Sequence, residues 1–409
     1  MAKKRNIIVG QSGGPTAVIN SSLAGVYKNA IERGFDKVYG MLHGIQGLLD
    51  EQYIDLSTQI HSELDIELLK RTPSAFLGSC RYKLPEIHED KAIYEKIFEI
   101  LNKLDIYAFI YIGGNDSMDT IKKLSDYAIL TGQTQKFLGV PKTIDNDLAL
   151  TDHTPGFGSA ARYVASTVRE ITLDACVYEK KSVTIIEIMG RHAGWLTGAA
   201  ALARKYVGDN PLLIYLPETD FDVEEFLLKV NAAFEKNCNV VVCVSEGIHD
   251  KDGTFICEYD SAAGTDAFGH KMLAGCGKYL ENLVRSRLGV KARSVELNVS
   301  QRCSVSMLSE TDQQEAILAG EFGVQAALNG ETGKMIAFKR QSDSPYSMKC
   351  TLEDVNVICN EEKTVPVEWI TEDGSDVTED FIRYARPLIQ GTVNVPVGED
   401  GLPAFVYRK

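Results

Sequence analysis

Short apolar runs alternate with longer amphipathic stretches along most of the chain. The apolar runs predict strands at residues 6–9, 37–42, 108–112, 137–140, 183–188, 212–216, 240–244 and 294–299. The amphipathic stretches predict helices at residues 17–33, 92–103, 158–175, 223–236, 270–288 and 312–328. Several strands are apolar throughout, which is typical of parallel strands that are buried on both faces. The alternation therefore predicts an α/β fold with mostly parallel sheets.

Composition narrows the class of protein. A chain of 409 residues is too long for one small core, so we expect two or three domains. The 43 Lys and Arg residues against 57 Asp and Glu residues give a formal net charge of −14, which disfavours a nucleic-acid-binding surface. Small anionic ligands are still possible, because they need only a few local cations.

The cysteines and the apolar runs predict a location. The nine cysteines contain no Cys-x-x-Cys pair, which argues against zinc and iron–sulfur sites and predicts reduced thiols in the cytoplasm. No apolar run approaches the roughly 20 residues that a membrane-spanning helix needs. We therefore expect no membrane partner.

Four motifs follow predicted strands, and in open α/β sheets ligands bind beyond the carboxyl ends of strands. The motifs are Gly-Gln-Ser-Gly-Gly-Pro at 10–15, Gly-Gly-Asn-Asp-Ser at 113–117, Pro-Lys-Thr-Ile-Asp-Asn-Asp at 141–147 and Glu-Ile-Met-Gly-Arg at 187–191. Alone, the first is as compatible with a structural turn as with a phosphate cradle, because it does not match a Walker A loop. In the second, Asp116 or Ser117 is also a suitable helix cap.

Together, and in this order, the four motifs resemble those of the phosphofructokinase family from the first strand to about residue 340. The resemblance implies two Rossmann-like, three-layer α/β domains with the active site in the cleft between them. It implies a phosphoryl-donor domain at 1–157 plus about 303–345 and a fructose 6-phosphate domain at 158–302 plus about 346–409. The implied reaction is a Mg²⁺-dependent transfer to the 1-hydroxyl of fructose 6-phosphate, a step of glycolysis.

The resemblance also implies roles for the residues that match the motifs. Asp145 would be the general base that takes the proton from the sugar hydroxyl, and Asn115 would hold the metal. The residues implied to bind the donor are Gly13, Gly14, Arg81, Gly114 and Ser117. The residues implied to bind the sugar phosphate are Thr143, Ile144, Asp145, Asp147, Met189, Gly190, Arg191, Glu246, Arg293, Val299, Ser300, Gln301 and Arg302. The residues implied to act in the transfer are Asp145, Lys142, Asp116, Thr143 and Arg191.

Two positions indicate the donor. ATP-using members of the family carry glycine where this sequence has Asp116 and Lys142, and this pair resembles the pyrophosphate-dependent branch. The carboxylate of Asp116 would repel the α-phosphate of a nucleotide, and the ammonium of Lys142 would stabilise a phosphate leaving group. The sequence therefore predicts pyrophosphate as the donor and a reversible reaction.

Two positions depart from the family pattern. Asn115 stands where the family usually has Asp, so it offers a metal an oxygen without a charge, and Asp116 is placed to share the task. Lys181 stands near the position at which a neighbouring subunit of other members supplies an arginine. A homodimer or homotetramer is the expectation from the family.

Three alternatives stay open at this point. One is an ATP-dependent phosphofructokinase with an unusual donor loop. Another is a non-catalytic regulatory paralogue that binds sugar phosphates; Asp145, Asp147 and Arg191 argue against it, whereas Asn115 leaves it open. The third is a dinucleotide-binding oxidoreductase, which lacks its Gly-x-Gly-x-x-Gly fingerprint here. The sequence does not indicate allosteric control, the use of sedoheptulose 7-phosphate, or a role for residues 341–409.

Overall fold

A computed structural model describes residues 5–259, 275–358 and 361–408 of the chain. The strands are β1 Asn6–Gln11, β2 Lys37–Met41, β3 Tyr53–Asp55, β4 Ile106–Gly113, β5 Lys136–Pro141, β6 Ser182–Ile188, β7 Leu213–Tyr215, β8 Asn239–Ser245, β9 Lys291–Glu296, β10 Lys334–Asp343 and β11 Tyr346–Asp354. The α-helices are α1 Ile19–Glu32, α2 Gly44–Leu49, α3 Glu63–Leu69, α4 Lys91–Lys103, α5 Asn115–Thr131, α6 Phe157–Ala175, α7 Trp195–Gly198, α8 Val223–Ala233, α9 Cys276–Leu288, α10 Ser300–Cys303, α11 Glu310–Leu328, α12 Val355–Ile358 and α13 Glu379–Ala385. The 3₁₀ segments are Leu56–Thr58, Ala199–Ala203, Ile256–Tyr259, Val367–Trp369 and Arg386–Ile389.

The first sheet has seven strands in the order β11-β10-β5-β4-β1-β2-β3. Strands β2, β1, β4, β5 and β10 run parallel, and β3 and β11 add antiparallel edges. Ile7 and Val9 of β1 pack in a core with residues of α1 and α11, whereas Ile8 points into a core with residues of α4 and α5. Helices therefore cover both faces, which explains why these strands are apolar at consecutive positions.

The second sheet has four parallel strands in the order β7-β8-β6-β9. Ile186 of β6 packs in a core with residues of α6, α7 and α13, and Ile185 packs on the other face in a core with residues of α8 and α9. This sheet is also the middle of three layers. The α/β class with mostly parallel sheets that the sequence predicts is confirmed.

The sequence pattern missed β3, β10 and β11, and β9 begins and ends earlier than the predicted strand at 294–299. The hairpin of β10 and β11 is polar and partly exposed beyond Phe338, so it contains no long apolar run. Its second strand pairs with β10 and so lies in the first sheet. The domain boundary expected at about residue 345 falls in the turn of this hairpin. The predicted helix at 270–288 begins outside the described residues.

The carboxyl ends of the central strands hold the motifs. In the first sheet, β1, β4 and β5 are neighbours, so the motifs at 10–15, 113–117 and 141–147 meet at one edge. In the second sheet, β6 and β8 are neighbours and end at the motif at 187–191 and at Glu246. In the part of the chain that the structure describes, no helix is long and apolar enough to cross a membrane.

Candidate active site

Two adjoining cavities lie where the two sheet edges face each other. The larger has a volume of about 570 Å³ and opens at the ends of β1, β4 and β5. The smaller has a volume of about 320 Å³ and is bounded by residues from both sheets. The two share part of their walls, namely Gly14, Arg81, Lys142 and Thr143. The loop after β5 therefore forms the boundary between two compartments.

The larger cavity gathers the residues that the sequence assigns to the donor. The predicted residues on its wall are Gly13, Gly14, Arg81, Gly114, Asn115, Asp116, Ser117, Lys142, Thr143 and Asp147. The residues that the sequence analysis did not name are Ser12, Cys80, Tyr82, Lys83, Tyr111, Thr120 and Glu362. The amino end of α5 also faces this cavity, and its free N–H groups favour an anion there.

The glycine loop after β1 approaches Lys142 closely. Gly13 has a φ of +74°, and a Cβ atom at this position would lie 3.3 Å from Nζ of Lys142. The Gly13 N–H donates a hydrogen bond to the carbonyl oxygen of Cys80 at 3.1 Å. The side chains of Ser12 and Ser117 are hydrogen-bonded to each other, which joins this loop to the start of α5. Glycine is needed here because the backbone is left-handed and because Lys142 occupies the adjacent space.

Lys142 is, with Arg81, a cation at the boundary between the cavities. Its side chain is 2% exposed, and Nζ donates to the carbonyl oxygen of Gly14 at 2.5 Å. Burial lowers the pKa of Lys142 to about 8, although the carboxylates of Asp145 and Asp147 act in the opposite direction. The side chain is therefore still mostly an ammonium at neutral pH, placed where phosphate oxygens from either cavity can reach it.

Asp145 and Asp147 follow Lys142 in the same loop. The Asp145 N–H donates to Oγ1 of Thr143 at 3.1 Å, which tightens the turn. Desolvation and the neighbouring Asp147 raise the pKa of Asp145 to about 6, against the opposing effect of Lys142. Desolvation also raises the pKa of Asp147. A carboxylate with a pKa close to neutrality is suited to accept a proton from a substrate.

The smaller cavity gathers most of the residues assigned to the sugar phosphate. The predicted residues on its wall are Ile144, Asp145, Met189, Arg191, Glu246 and Arg302, together with the shared residues. The N–H of Gly190 donates to Oε1 of Glu246 at 3.3 Å. Desolvation raises the pKa of Glu246 to about 7. The cavity thus presents three guanidinium groups, which are suited to a phosphate, and two carboxyl groups, which are suited to hydroxyls.

Six residues of the predicted sugar site do not line the smaller cavity. Asp147 lines the larger cavity instead, and Gly190 lines neither. Oε1 of Gln301 accepts a hydrogen bond from the N–H of Met189 at 3.4 Å, so Gln301 contacts a wall residue from behind. Arg293 lies in the middle of β9 and forms an ion pair with Asp174 at 3.4 Å. It precedes the end of the strand by three residues, which is about 10 Å of extended chain. Val299 and Ser300 also line neither cavity.

The larger cavity suits a divalent metal. Oδ1 of Asn115 is buried and has no hydrogen-bond partner among the residues that the structure describes. In the same part of the chain, no three His, Cys, Asp or Glu side chains form a metal-binding group by themselves. Mg²⁺ is usually held by one or two protein oxygens plus the phosphates of a substrate. An unpartnered oxygen on the wall of an anion-binding cavity fits that mode of binding.

The C-terminal region contributes to the site without any sequence motif. Glu362 lines the larger cavity, and its backbone forms a bridge with that of Leu148. The N–H of Lys363 donates to the carbonyl oxygen of Asp147 at 2.8 Å. These contacts join residues far apart in the sequence, and no local pattern of residue types marks them.

Comparison with known proteins identifies the family. The chain is 43% identical over 406 residues to the pyrophosphate–fructose 6-phosphate 1-phosphotransferase of Xanthomonas campestris pv. campestris, which covers 99% of this chain and 96% of that relative. Crystal structures of pyrophosphate-dependent phosphofructokinases from Marinobacter aquaeolei and Nitrosospira multiformis match with TM-scores of 0.87 and 0.88 and identities of 36% and 35%. Each match covers 98% of this chain, and 95% and 96% of the two solved chains. A family model described as phosphofructokinase matches residues 6–327, and the chain therefore belongs to the phosphofructokinase family.

Proposed function

We propose that the protein transfers a phosphoryl group reversibly from pyrophosphate to the 1-hydroxyl of fructose 6-phosphate, giving fructose 1,6-bisphosphate and phosphate. The observation that carries this proposal is the boundary between the two cavities, where one loop places Lys142 and Thr143 on both walls and Asp145 on the wall of the smaller cavity. The relatives named above carry the same activity in their names. Membership of this family removes the support for a dinucleotide-binding oxidoreductase.

The residues of the loop have separate tasks in this reaction. The sugar phosphate lies in the smaller cavity, where Arg191 and Arg302 bind its phosphate. Asp145 accepts the proton of the attacking hydroxyl as the new P–O bond forms. Lys142 neutralises charge on the phosphate that leaves from the larger cavity. Positioning and charge neutralisation of this kind supply most of the catalysis in phosphoryl transfer.

Asp116 selects the donor in this proposal. Its carboxylate is on the wall of the larger cavity, close to the amino end of α5. Bound pyrophosphate would not approach the carboxylate of Asp116, whereas the α-phosphate of ATP would. Repulsion between like charges in a confined site costs several kcal/mol, so the nucleotide is disfavoured.

The proposed metal is Mg²⁺, held by Asn115 with Asp116 beside it and by the oxygens of pyrophosphate. A bound divalent cation supplies positive charge to the donor's phosphates. Because Asn115 is neutral, the carboxylates of Asp116, Asp147 and Glu362 on the same wall provide the negative charge that attracts the ion.

The proposed assembly is a homodimer or homotetramer. Arg293 stands outside the cavities and forms an ion pair with Asp174, and Leu173, Val177 and Tyr178, which are close to Asp174 in the sequence, are 62–69% exposed. Exposed apolar side chains of this kind are suited to contact a second copy of the chain, whose Arg293 would then add to Arg191 and Arg302 at the sugar phosphate. Analytical ultracentrifugation tests this, and a monomer at all concentrations would contradict it.

The cytoplasmic location stays a prediction.

The experiment that tests the proposed function compares donors. Purified protein is given fructose 6-phosphate and Mg²⁺ with either pyrophosphate or ATP, and fructose 1,6-bisphosphate is measured. We expect turnover with pyrophosphate, loss of turnover on chelation of the metal, and the reverse reaction with phosphate. Turnover with ATP alone would favour the ATP-dependent alternative, and binding of fructose 6-phosphate without turnover would favour a regulatory paralogue.

A further inference from the structure

Asn146 lies between the two aspartates of the loop and holds an unusual backbone conformation. Its φ is +56°, in the left-handed region that residues other than glycine rarely adopt. Its side chain is 0% exposed. Oδ1 accepts a hydrogen bond from the N–H of Thr154 at 3.1 Å, and Nδ2 donates to the hydroxyl of Tyr384 at 2.8 Å. The side-chain amide is therefore held from two directions.

Tyr384 comes from α13, beyond the residues that the family model matches. Its hydroxyl donates to the carbonyl oxygen of Asp152 at 2.7 Å, so the hydroxyl oxygen is the acceptor for Asn146. Its ring packs against Trp195 and Trp369, with ring centroids 5.1 and 5.3 Å apart. This packing fixes the position of the hydroxyl, and the hydroxyl in turn fixes the orientation of the Asn146 amide.

Other contacts hold the rest of the loop from the same side. The N–H of Lys363 donates to the carbonyl oxygen of Asp147, and Nζ donates to the carbonyl oxygen of Asp152 at 2.7 Å. His153 lies between the carboxylates of Asp152 and Glu315, at 2.8 and 2.7 Å. The far end of the loop, including the backbone of Asp147, is thus anchored, and the side chain of Asn146 holds the stretch between the two aspartates.

A buried tyrosine with a satisfied hydroxyl is often only part of a core. Tyr384 differs because one of its two partners is the side chain between two active-site carboxylates. A left-handed residue reverses the local direction of the chain, so its conformation decides where the residues on either side point. Loss of the Tyr384 hydroxyl would leave Nδ2 of Asn146 buried without a partner and would weaken that conformation.

We propose that Tyr384 is a positioning residue for the reaction, which acts through Asn146 to hold the carboxylates of Asp145 and Asp147 at the boundary between the cavities. The proposal rests on the proposed function, because it takes Asp145 as the group that accepts the substrate proton. It assigns a task to the C-terminal region, for which the sequence offers no motif.

The first test is Tyr384→Phe, which removes the hydroxyl and keeps the ring. We expect kcat to fall by about 10- to 100-fold, because small misplacement of a reacting group has effects of this size. The KM values for both substrates should change little, because the walls of the cavities are intact. The matched control is Tyr94→Phe in α4, which removes a buried hydroxyl that donates to the carbonyl oxygen of Pro85 at 2.6 Å. The control should lower Tm by a similar amount and leave kcat unchanged.

A double variant tests whether the effect passes through Asn146. Asn146→Ala should lower kcat by itself, and adding Tyr384→Phe should lower it no further, because the two residues share one interaction. Multiplicative effects in the double variant would overturn the proposal. So would a Tyr384→Phe protein that loses thermal stability and retains the kcat of the wild type.

Amide hydrogen exchange supplies a measurement that does not depend on turnover. In Tyr384→Phe, exchange in peptides that span residues 142–156 should become at least several-fold faster, while Tyr94→Phe leaves them unchanged. If the wild-type protein is inactive with pyrophosphate and faster exchange is still found, the proposed function fails and the positioning of the loop does not. Unchanged exchange in that loop would overturn the positioning role in any case.

Discussion

The Nζ atom of Lys142 lies 2.5 Å from the carbonyl oxygen of Gly14, which joins the loop after β5 to the loop after β1. The bond stands at the boundary of the two cavities and leaves the remaining N–H groups of the ammonium for phosphate oxygens. In the proposed reaction, Lys142 therefore lies where charge changes most during a transfer from pyrophosphate.

The dependence of activity on pH should be bell-shaped. Asp145 must be deprotonated to accept a proton, and its pKa is raised to about 6. Lys142 must be protonated to neutralise the leaving phosphate, and its pKa is lowered to about 8. The value of kcat/KM should therefore rise through about pH 6 and fall above about pH 8, with the acid limb belonging jointly to Asp145 and Asp147.

Initial rates with pyrophosphate across this range measure the profile. Asp145→Asn should lower kcat by roughly 10²- to 10⁴-fold and leave the Tm equal or higher, because a desolvated carboxylate is removed. Asp126→Asn, on the partly exposed face of α5, is the control for loss of one charge. An unchanged kcat in Asp145→Asn would show that another group accepts the proton.

Replacing both donor-selecting residues should alter the choice of donor. In Asp116→Gly with Lys142→Gly, turnover with pyrophosphate should fall by about 100-fold or more, because the cation beside the leaving phosphate is gone. Turnover with ATP relative to pyrophosphate should increase, because the space and charge that oppose an α-phosphate are removed. Parallel assays with the two donors measure this ratio. A ratio equal to that of the wild type would contradict the role of Asp116.

Restoring a carboxylate at position 115 should strengthen metal binding. Asn115→Asp places a negative charge where the buried, unpartnered oxygen now stands. The Mg²⁺ concentration for half-maximal activity should fall several-fold, and Mg²⁺ binding measured by calorimetry in the presence of pyrophosphate should tighten. Asn102→Asp, at the end of α4, is a matched control of the same chemistry. If Asn115→Asp and the wild type respond equally to Mg²⁺, Asn115 does not contact the ion.

The stability of the protein should depend on pH because of His153, which lies at the anchored end of the loop after β5. Burial alone would lower its pKa, but the carboxylates of Glu315 and Asp152 raise the pKa of His153 to about 9, from 6.5 when unfolded. A raised pKa contributes stability that is complete below pH 6.5 and is lost as pH rises through 9. Tm should therefore fall across this range, and His153→Gln should have a lower Tm at pH 6 and a flatter profile. Thermal unfolding at several pH values measures this dependence. Plots of Tm against pH that run parallel for the wild type and His153→Gln would refute the role of His153.

The class of fold could be predicted from local sequence patterns. The apolar runs at 108–112 and 240–244 lie in strands covered on both faces, because only such strands are apolar at consecutive positions. The edge hairpin of β10 and β11 escaped prediction, because its exposed and half-buried side chains produce no apolar run. Its place in the first sheet follows from pairing with β5, which lies far away in the sequence.

Some features of the candidate site could likewise be predicted from the sequence, and others could not. By itself, the sequence determined the four motifs and their positions at strand ends, because parallel strands bring their carboxyl ends to one edge. Only the tertiary structure placed Glu362, Lys363 and Tyr384 against the loop after β5 and kept Arg293 outside the cavities. Such contacts depend on backbone groups and on single side chains from distant segments. The residues that form them show no periodic or regularly spaced pattern in the sequence, so these contacts are decided by the packing of the whole chain.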